Sequence, residues 1–505
     1  MAKHNVLRFR DGYGISDLET TVAEEDSNLA QYYVGRELFV DRATNREDSA
    51  SVFIGPKGVG KSAVLQMVRN HASATGNESR LIEIAPDDLA FNALINIDSR
   101  TPLLKTPSQN QWLFTSLWDY VLCAEILHRE SAGYGTIEKL LTSVLGDRNR
   151  KQQAKLLKIT VDDEGKHLSM TDKMLALIEA VELEGEYDGV SGRAKVTLRE
   201  NGQRSDDLQL LQLISSVAKQ LPKSLSHEYY VLIDDLDLHW SSTPLQNAFL
   251  AAMFLSIRKM SRERSIKFVV SLRKSIYREI NLEERDKFSP YVCEVEWGKA
   301  AVKDMVESRM NFAVNIARNR VWGTLFPDAS FNYMWGNTDG MPREVLRLAG
   351  ACIDRALKNG EKSVSADSIN EATRRFSTER RDELASLFQY QYPGLGFVTR
   401  QFEGCRKEFN IDVIQEVALK VCDMVEGNLE LPNLDWATCG FDDPVALARA
   451  LLSCGFLLLK SGRSEEARAP LDEEIQLLDD KKWFAIHPMY HAGLGLDGYD
   501  RFVDG

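Results

Sequence analysis

The sequence predicts an α/β fold: a parallel sheet with a helical insertion, followed by a helical region and a C-terminal winged-helix-like domain. First, the apolar run 51–54 leads into the glycine-rich segment Gly55–Ser62 and then into helical periodicity. Second, the apolar run Tyr229–Ile233 ends in paired carboxylates. Third, apolar residues after Trp297 recur at helical spacing. A strand, a turn and a helix in that order are typical of a parallel sheet with crossover helices.

The composition is that of a globular protein with an acidic surface. The chain has 505 residues, 44% of them hydrophobic, and a net charge of -13. The length predicts roughly three domains. Seven cysteines without a C-x-x-C pattern suggest reduced thiols rather than a zinc site. No apolar segment is long enough to span a bilayer and no signal peptide is recognisable, so we expect a cytoplasmic protein with no membrane contact.

The glycine-rich segment has the pattern and the flanks of a phosphate-binding loop. Glycines let successive backbone N–H groups converge on phosphate oxygens at a helix N-terminus. Lys61 is expected to reach the β- and γ-phosphates, and Ser62 to bind Mg²⁺. The alternative is a strand-to-helix turn without a ligand. The predicted nucleotide-binding residues are Gly55, Pro56, Lys57, Gly58, Val59, Gly60, Lys61, Ser62 and Ala63.

Two further strand ends carry candidate catalytic groups. Asp234 is predicted to bind Mg²⁺, and Asp235 to orient or deprotonate the attacking water. The strand Ile266–Arg273 should end at the same edge, where Ser271 and Arg273 could sense the γ-phosphate. A capped strand end is the alternative for the two aspartates. For Arg273 the alternative is charge pairing with them.

Several arginines and lysines suit other roles. Arg278 and Arg285 could each act on the nucleotide of a neighbouring subunit, although surface arginines are common. A basic cluster lies just before the strand Ile266–Arg273, and it could be a nucleic-acid or partner face or simply a solvated helix end. The cluster comprises Arg258, Lys259, Arg262, Arg264 and Lys267.

The chain resembles the additional-strand P-loop ATPases, in particular their STAND and KAP groups and the origin-recognition type of AAA+ protein. The resemblance rests on Gly55–Ser62, on the acidic segment 233–237, on Ser271 to Arg273, and on the segment 340–343, Gly-Met-Pro-Arg. It implies a P-loop NTPase sheet followed by a helical lid. These families have a second carboxylate, often Glu, beside the magnesium ligand. Here it is Asp235, as in STAND and KAP proteins, which leaves hydrolysis expected but slow.

The resemblance also implies ligands and partners. ATP with Mg²⁺ is favoured because no Asn-Lys-x-Asp sequence supports guanine specificity. Pro342 would pack near the base or ribose and Arg343 would sense the γ-phosphate, the alternative being an ordinary helix start. Bacterial ATPases with an Ile-His-Pro segment such as 486–488 often accompany an effector in defence against phage.

The predicted domains are an N-terminal segment 1–50 packing on the ATPase core, the P-loop ATPase domain 51–297 with an insertion at about 92–205, a helical lid 298–376 and a winged-helix-like domain 377–505. The presumptive wing, residues 461–480, carries two arginines against seven carboxylates, so it should be repelled by phosphates. This favours protein contact over DNA binding. His487 and His491 lack a nearby carboxylate or thiol cluster and are interpreted as structural.

Together these features predict an ATPase that acts as a nucleotide-dependent switch on a protein effector or partner subunit, and homo-oligomers are compatible with it. Two alternatives stay open: an initiator or remodelling ATPase that engages DNA, and a scaffold that binds ATP without hydrolysing it.

Overall fold

The structure is a computed structural model. It describes residues 22–84, 111–134, 204–236, 243–314, 316–389, 391–427, 434–460, 462–497 and 499–503, with shorter pieces at 7–9, 14, 139, 141–142, 144, 173, 177, 186–187 and 194–195. The chain forms two compact units. One is Val22–Glu296, and the other is Trp297–Gly505 together with Met1–Thr21. Each has its own apolar core.

The first unit is built on a five-stranded parallel sheet. The strands are β1 (Val52–Gly55), β2 (Leu81–Ile84), β5 (Tyr229–Ile233), β6 (Ile266–Arg273) and β7 (Val292–Glu294), in the spatial order β2-β5-β6-β1-β7. β3 (Glu186–Tyr187) and β4 (Ala194–Lys195) form a separate antiparallel pair. All residues of β1 and β5 are buried, as expected for central strands covered on both faces. β6 lies between β1 and β5, so an additional strand separates the loop strand from the aspartate strand.

Helices flank this sheet, and the aromatic segment after residue 111 belongs to one of them. Phe114 and Trp118 are fully buried, and the Trp118 indole Nε1 donates to the Phe249 carbonyl oxygen at 3.0 Å. These aromatic side chains therefore belong to the core of the unit. The α-helices are Leu29–Tyr32, Asp41–Thr44, Lys61–Ala74, Gln111–Tyr134, Arg204–Ser224, Pro244–Met260 and Lys274–Glu279. Most of the insertion predicted at 92–205 lies outside the described residues.

The N-terminal segment contains short helical pieces. Gly35 adopts a φ of 81° and separates the helix Leu29–Tyr32 from a π-helical turn at Arg36–Val40. Residues 22–50 belong to the first unit, where the Arg46 guanidinium lies 4.3 Å from the centre of the Tyr230 ring. Leu7 belongs to the second unit, where its backbone N–H donates to the Lys362 carbonyl oxygen.

The second unit is helical up to residue 400 and then becomes mixed. β8 (Glu408–Asn410), β9 (Leu457–Lys460) and β10 (Trp483–Ile486) form an antiparallel sheet in the order β8-β10-β9, beside two main helices. This is the predicted winged-helix-like arrangement, with β8 as a strand that the sequence did not predict. The helices of the unit are Lys299–Val314, Ser330–Gly336, Pro342–Lys358, Ala366–Leu387, Leu395–Arg400, Ile411–Gly427, Asp435–Thr438, Pro444–Ser453, Asp472–Gln476 and His491–Leu494.

The boundary predicted at residue 376 falls inside a helix. The helix Ala366–Leu387 continues without interruption through the charged run 374–382, where the boundary was predicted. Opposite charges four apart support a helix, and Arg375 pairs with Glu379 at 2.7 Å in this spacing. The run is therefore part of a continuous helix instead of a linker, with Arg375 exposed and Arg381 buried, and the finer division of this unit stays a prediction.

Candidate nucleotide site

The glycine-rich loop connects β1 to the helix Lys61–Ala74. Gly58 and Gly60 have φ values of 84° and 99°, a region that side chains disfavour. A Cβ atom on Gly55 would lie 2.7 Å from Val59 Cγ1 and 3.1 Å from the Val295 carbonyl oxygen. The loop conformation therefore requires glycine at these positions.

The start of the following helix supplies the polar groups of the loop. The Lys61 ammonium donates to the carbonyl oxygens of Gly55 at 3.1 Å and Pro56 at 2.9 Å. Lys61, Ser62 and Ala63 are the first three helical residues, and the N–H groups of a first turn have no partner within the helix. These groups and the helix dipole favour an anion at this end.

The paired aspartates follow β5 as predicted. The Asp234 backbone N–H donates to the Ile84 carbonyl oxygen at 3.4 Å, and the Asp234 carboxylate accepts from the Asp235 N–H at 3.0 Å. Asp235 has a φ of 57°, so it adopts a left-handed conformation that few non-glycine residues occupy. Asp235 is exposed, whereas the next residue, Leu236, is fully buried. The sharp turn thus leaves Asp235 exposed, while the buried Leu236 fixes the chain that follows.

The sheet brings the loop and the aspartates to one edge. Gly55 is in register with Arg273, whereas Ile233 and Val52 are both in register with Val270, so β5 ends three residues before β1 and β6 on the same side of the sheet. Neighbouring strands lie about 4.8 Å apart and rise about 3.3 Å per residue, so Ile233 lies roughly 10 Å from Gly55 across the sheet and about 10 Å before it along the strands. Arg273 stands at the end of the strand between them. Ser271 is a buried strand residue with 6% exposure.

Glu294 lies in β7, next to β1, and was not among the residues predicted from the sequence to belong to the site. It is the register partner of Ile54 in β1, and its carboxylate pairs with the Lys274 ammonium. The Lys274 ammonium also lies 3.7 Å from Glu296. The signal in the sequence was the alternation of acids at 294 and 296, which extended backbone would place on one face; β7 itself ends at Glu294, and Glu296 lies just beyond it.

Of the two arginines considered for action on a neighbouring subunit, Arg285 is committed within its own unit. Its Nη1 donates to the Tyr277 carbonyl oxygen at 3.2 Å, and its guanidinium carbon lies 4.9 Å from the centre of that tyrosine ring. Its Nη2 also donates to the carbonyl oxygens of Arg278 and Ile280. Arg285 therefore caps the helix Lys274–Glu279, whereas Arg278 is exposed.

The basic cluster before β6 is largely used inside the unit. Lys259 pairs with the buried carboxylate of Asp119, and Arg264 pairs with Glu47. Lys267 is 3% exposed and donates to the Asp48 carbonyl oxygen at 2.6 Å. Burial lowers the pKa of Lys267 to about 8. Lys259 and Lys267 are therefore held within the fold, whereas Arg262 and Arg264 are exposed.

Pro342 and Arg343 belong to the second unit. Pro342 is the first residue of the helix Pro342–Lys358, after Gly340 with a φ of 73°. Nearby, burial would raise the pKa of the Glu383 carboxylate, but hydrogen bonding from Arg347 and the positive charges around it, including Arg343, hold that pKa below its usual value. The nucleotide contact of Pro342 and Arg343 stays a prediction.

The residues present fit a Mg²⁺–nucleotide complex better than a metal held by protein alone. Among the described residues, no three His, Cys, Asp or Glu side chains are grouped so that they could hold a metal ion. Mg²⁺ is commonly held by one or two protein oxygens together with substrate phosphates. The Ser62 hydroxyl and the Asp234 carboxylate are oxygen donors of the kind that would hold Mg²⁺ in this way. His487 is instead a structural residue, because its Nδ1 accepts from the Met489 N–H at 3.2 Å.

The loop and the strand order define the first unit as a P-loop nucleotide-binding fold of the additional-strand type. Residues 300–385 match a protein-family model described as the FunZ-associated C-terminal helical domain. That match covers part of the second unit only.

Similar proteins were found among curated sequences and solved structures. The chain is 20% identical over 505 residues to the putative transposon gamma-delta 80.3 kDa protein of Escherichia coli K12, covering 95% of this chain and 67% of that protein. The Aeropyrum pernix ORC1 protein, solved in complex with DNA, is 13% identical with a TM-score of 0.41, covering 95% of this chain and 97% of that one. The Aeropyrum pernix ORC2 protein is 12% identical with a TM-score of 0.34 and 97% coverage of both chains. These TM-scores are too low to add to what the sheet order defines.

Among the described residues, no helix combines the length and the apolar character that crossing a bilayer requires.

Proposed function

We propose that this protein is an ATPase that acts as a nucleotide-dependent switch on a partner protein. The observation that carries the proposal is that the parallel neighbours β1, β6 and β5 end on the same side of the sheet: β1 ends at Gly55, β6 ends at Arg273, and the Asp234–Asp235 pair follows β5. Phosphoryl transfer is catalysed mostly by positioning and charge neutralisation, and this edge supplies groups for both.

The roles follow from the chemistry of each group. The loop N–H groups and the Lys61 ammonium bind the phosphates, while Ser62 and Asp234 hold Mg²⁺, which neutralises phosphate charge. Asp235 orients or deprotonates the attacking water. Its left-handed backbone supports this role, because strained conformations concentrate at functional sites. Arg273 stabilises charge on the γ-phosphate.

The switch would work through the second unit. Pro342 and Arg343 respond to the bound nucleotide, and the helical and winged-helix-like parts transmit the change to a partner effector. ATP rather than GTP is the expected nucleotide, and the cytoplasm is the expected location. Defence against phage is the biological setting that the resemblance to STAND and KAP proteins suggests, and homo-oligomers are compatible with it.

Two variants test the nucleotide chemistry. Lys61→Ala removes charged hydrogen bonds of roughly 1.5–3 kcal/mol, so the Kd for ATP should rise about tenfold or more. Asp235→Asn should keep ATP binding but slow phosphate release by at least about 100-fold, as for loss of a general base. ATP binding by calorimetry and phosphate release with and without purified partner or duplex DNA measure the two effects.

Matched controls are Lys223→Ala and Glu263→Gln, which change charged residues of the same unit that are 62% and 42% exposed. Both should bind and hydrolyse ATP like the unchanged chain. ATP binding without phosphate release under every condition would overturn the enzymatic assignment in favour of an ATP-binding scaffold. Turnover stimulated by DNA would favour the initiator or remodelling ATPase.

A further inference from the structure

The wing of the second unit carries two of its most exposed apolar side chains. Residues 462–482 lie between β9 and β10 and include all but the first residue of the predicted wing, 461–480. We call this observed segment, 462–482, the wing from here on. It contains the single-turn helix Asp472–Gln476, with Leu471 before it and Leu477 after it. Leu471 is 60% exposed and Leu477 is 81% exposed, whereas the neighbouring Leu478 is 5% exposed. Exposed leucines at both ends of a turn make an apolar surface that nothing in the described chain covers.

These leucines are held in place from both sides. The Arg468 guanidinium donates to both carboxylate oxygens of Glu474, at 2.7 and 2.5 Å, and the Leu471 N–H donates to the same carboxylate at 2.8 Å. At the other end, Arg449 Nε donates to the Ile475 carbonyl oxygen at 3.2 Å. A surface that is already ordered loses little conformational entropy when a partner binds.

The charge around the leucines selects the partner. Glu473, Asp479 and Asp480 are exposed beside them. Across the wing, seven carboxylates stand against four cations, and Arg468 is engaged by Glu474. Arg463 lies over the Trp483 ring at 5.4 Å. A basic ligand would therefore be attracted here, and phosphates would be repelled.

The helix next to the wing is also unsuited to DNA. In winged-helix DNA-binding proteins the second main helix enters the major groove. Here that helix, Pro444–Ser453, contains one charged residue, Arg449, which is spent on carbonyl oxygens of the wing. Two exposed acids, Asp442 and Asp443, precede it. The surface is thus complementary to protein rather than to nucleic acid.

We propose that the wing is a docking surface for a partner polypeptide segment that presents apolar side chains to Leu471 and Leu477 and Lys or Arg side chains to the surrounding acids. A second copy of this chain is disfavoured as the partner, because two copies that each carry a net charge of -13 would repel each other when acidic surfaces meet. The proposal extends the partner-controlling role proposed above and is independent of ATP hydrolysis.

The test uses two labelled amphipathic peptides with leucines at helical spacing, one with lysines and one with glutamates on the polar face. Binding to the full chain is measured by fluorescence anisotropy. The lysine peptide should bind, with a Kd that rises with salt, and the glutamate peptide should not. Leu477→Ser should raise the Kd about tenfold, which corresponds to roughly 1.4 kcal/mol. Leu387→Ser, at a leucine that is 46% exposed outside the wing, should leave the Kd unchanged.

Asp479→Lys combined with Asp480→Lys should also weaken binding and reduce its salt dependence. Equal effects of Leu387→Ser and Leu477→Ser, or equal binding of both peptides, would overturn the proposal. So would wing-dependent binding of a 20-base-pair duplex, or self-association that Leu477→Ser abolishes in light scattering. Repeating the peptide titration with Lys61→Ala separates the two proposals, because this variant should lose ATP affinity and keep peptide affinity.

Discussion

Replacing Asp235 with glycine or alanine separates its backbone role from its carboxylate. Asp235 has a φ of 57°. A non-glycine residue in this conformation costs about 1–2 kcal/mol, whereas glycine adopts it freely. Glycine gives back roughly 0.5–1 kcal/mol because it makes the unfolded chain more flexible. We therefore expect Asp235→Gly to be more stable than Asp235→Ala by about 1 kcal/mol, the reverse of the order at an ordinary helical position.

Calorimetric unfolding of the nucleotide-free chain measures the difference. For a unit of this size, about 1 kcal/mol corresponds to roughly 2 °C in Tm. Gln212 provides the control, because it is exposed within the helix Arg204–Ser224 and its alanine variant should be more stable than its glycine variant. Both Asp235 variants lack the carboxylate, so both should lose phosphate release. An alanine variant at 235 that is as stable as the glycine variant would refute the backbone argument.

Three other changes test interactions within the individual units. Gly493→Ala should destabilise the second unit by about 1–3 kcal/mol in urea unfolding, because the new Cβ would lie 2.9 Å from Ser377 Oγ. Burial lowers the pKa of His487 to about 4. The unfolded chain therefore binds a proton on this histidine at a higher pH than the folded chain does. The contribution of His487 to stability is present above about pH 6.5 and should be lost as pH falls towards 4. His487→Asn should flatten this dependence of stability on pH, and an unchanged profile would contradict the argument. Arg46→Ala should destabilise the first unit by roughly 2 kcal/mol in thermal unfolding, because it removes the guanidinium stacked on Tyr230 and leaves backbone carbonyl oxygens without their donor.

The main strands of the first unit could be predicted because their signals are local. β5 has the predicted bounds Tyr229–Ile233, and β6 has the predicted bounds Ile266–Arg273. Both are continuous apolar runs, the pattern of buried parallel strands. The phosphate loop was equally clear, since its glycines are needed for backbone conformations that side chains exclude.

What the sequence could not predict depends on tertiary contacts. The charged run at 374–382 resembles a linker in composition, yet opposite charges four residues apart stabilise it as a helix. Arg285 looked like a surface arginine until its carbonyl partners were known. The three-residue strand β8 is too short for a periodic signal, and it exists because β10 pairs with it.

The position of β1 within its sheet has a consequence for biosynthesis. Both of its neighbours, β6 and β7, are made more than 200 residues after it. At about 5–20 residues per second, the ribosome needs roughly 10–50 seconds to supply them. During that time the apolar residues of β1 cannot pair with β6 or β7. We therefore expect the nascent chain to need protection from aggregation. ATP could help folding only after the last of these strands has emerged.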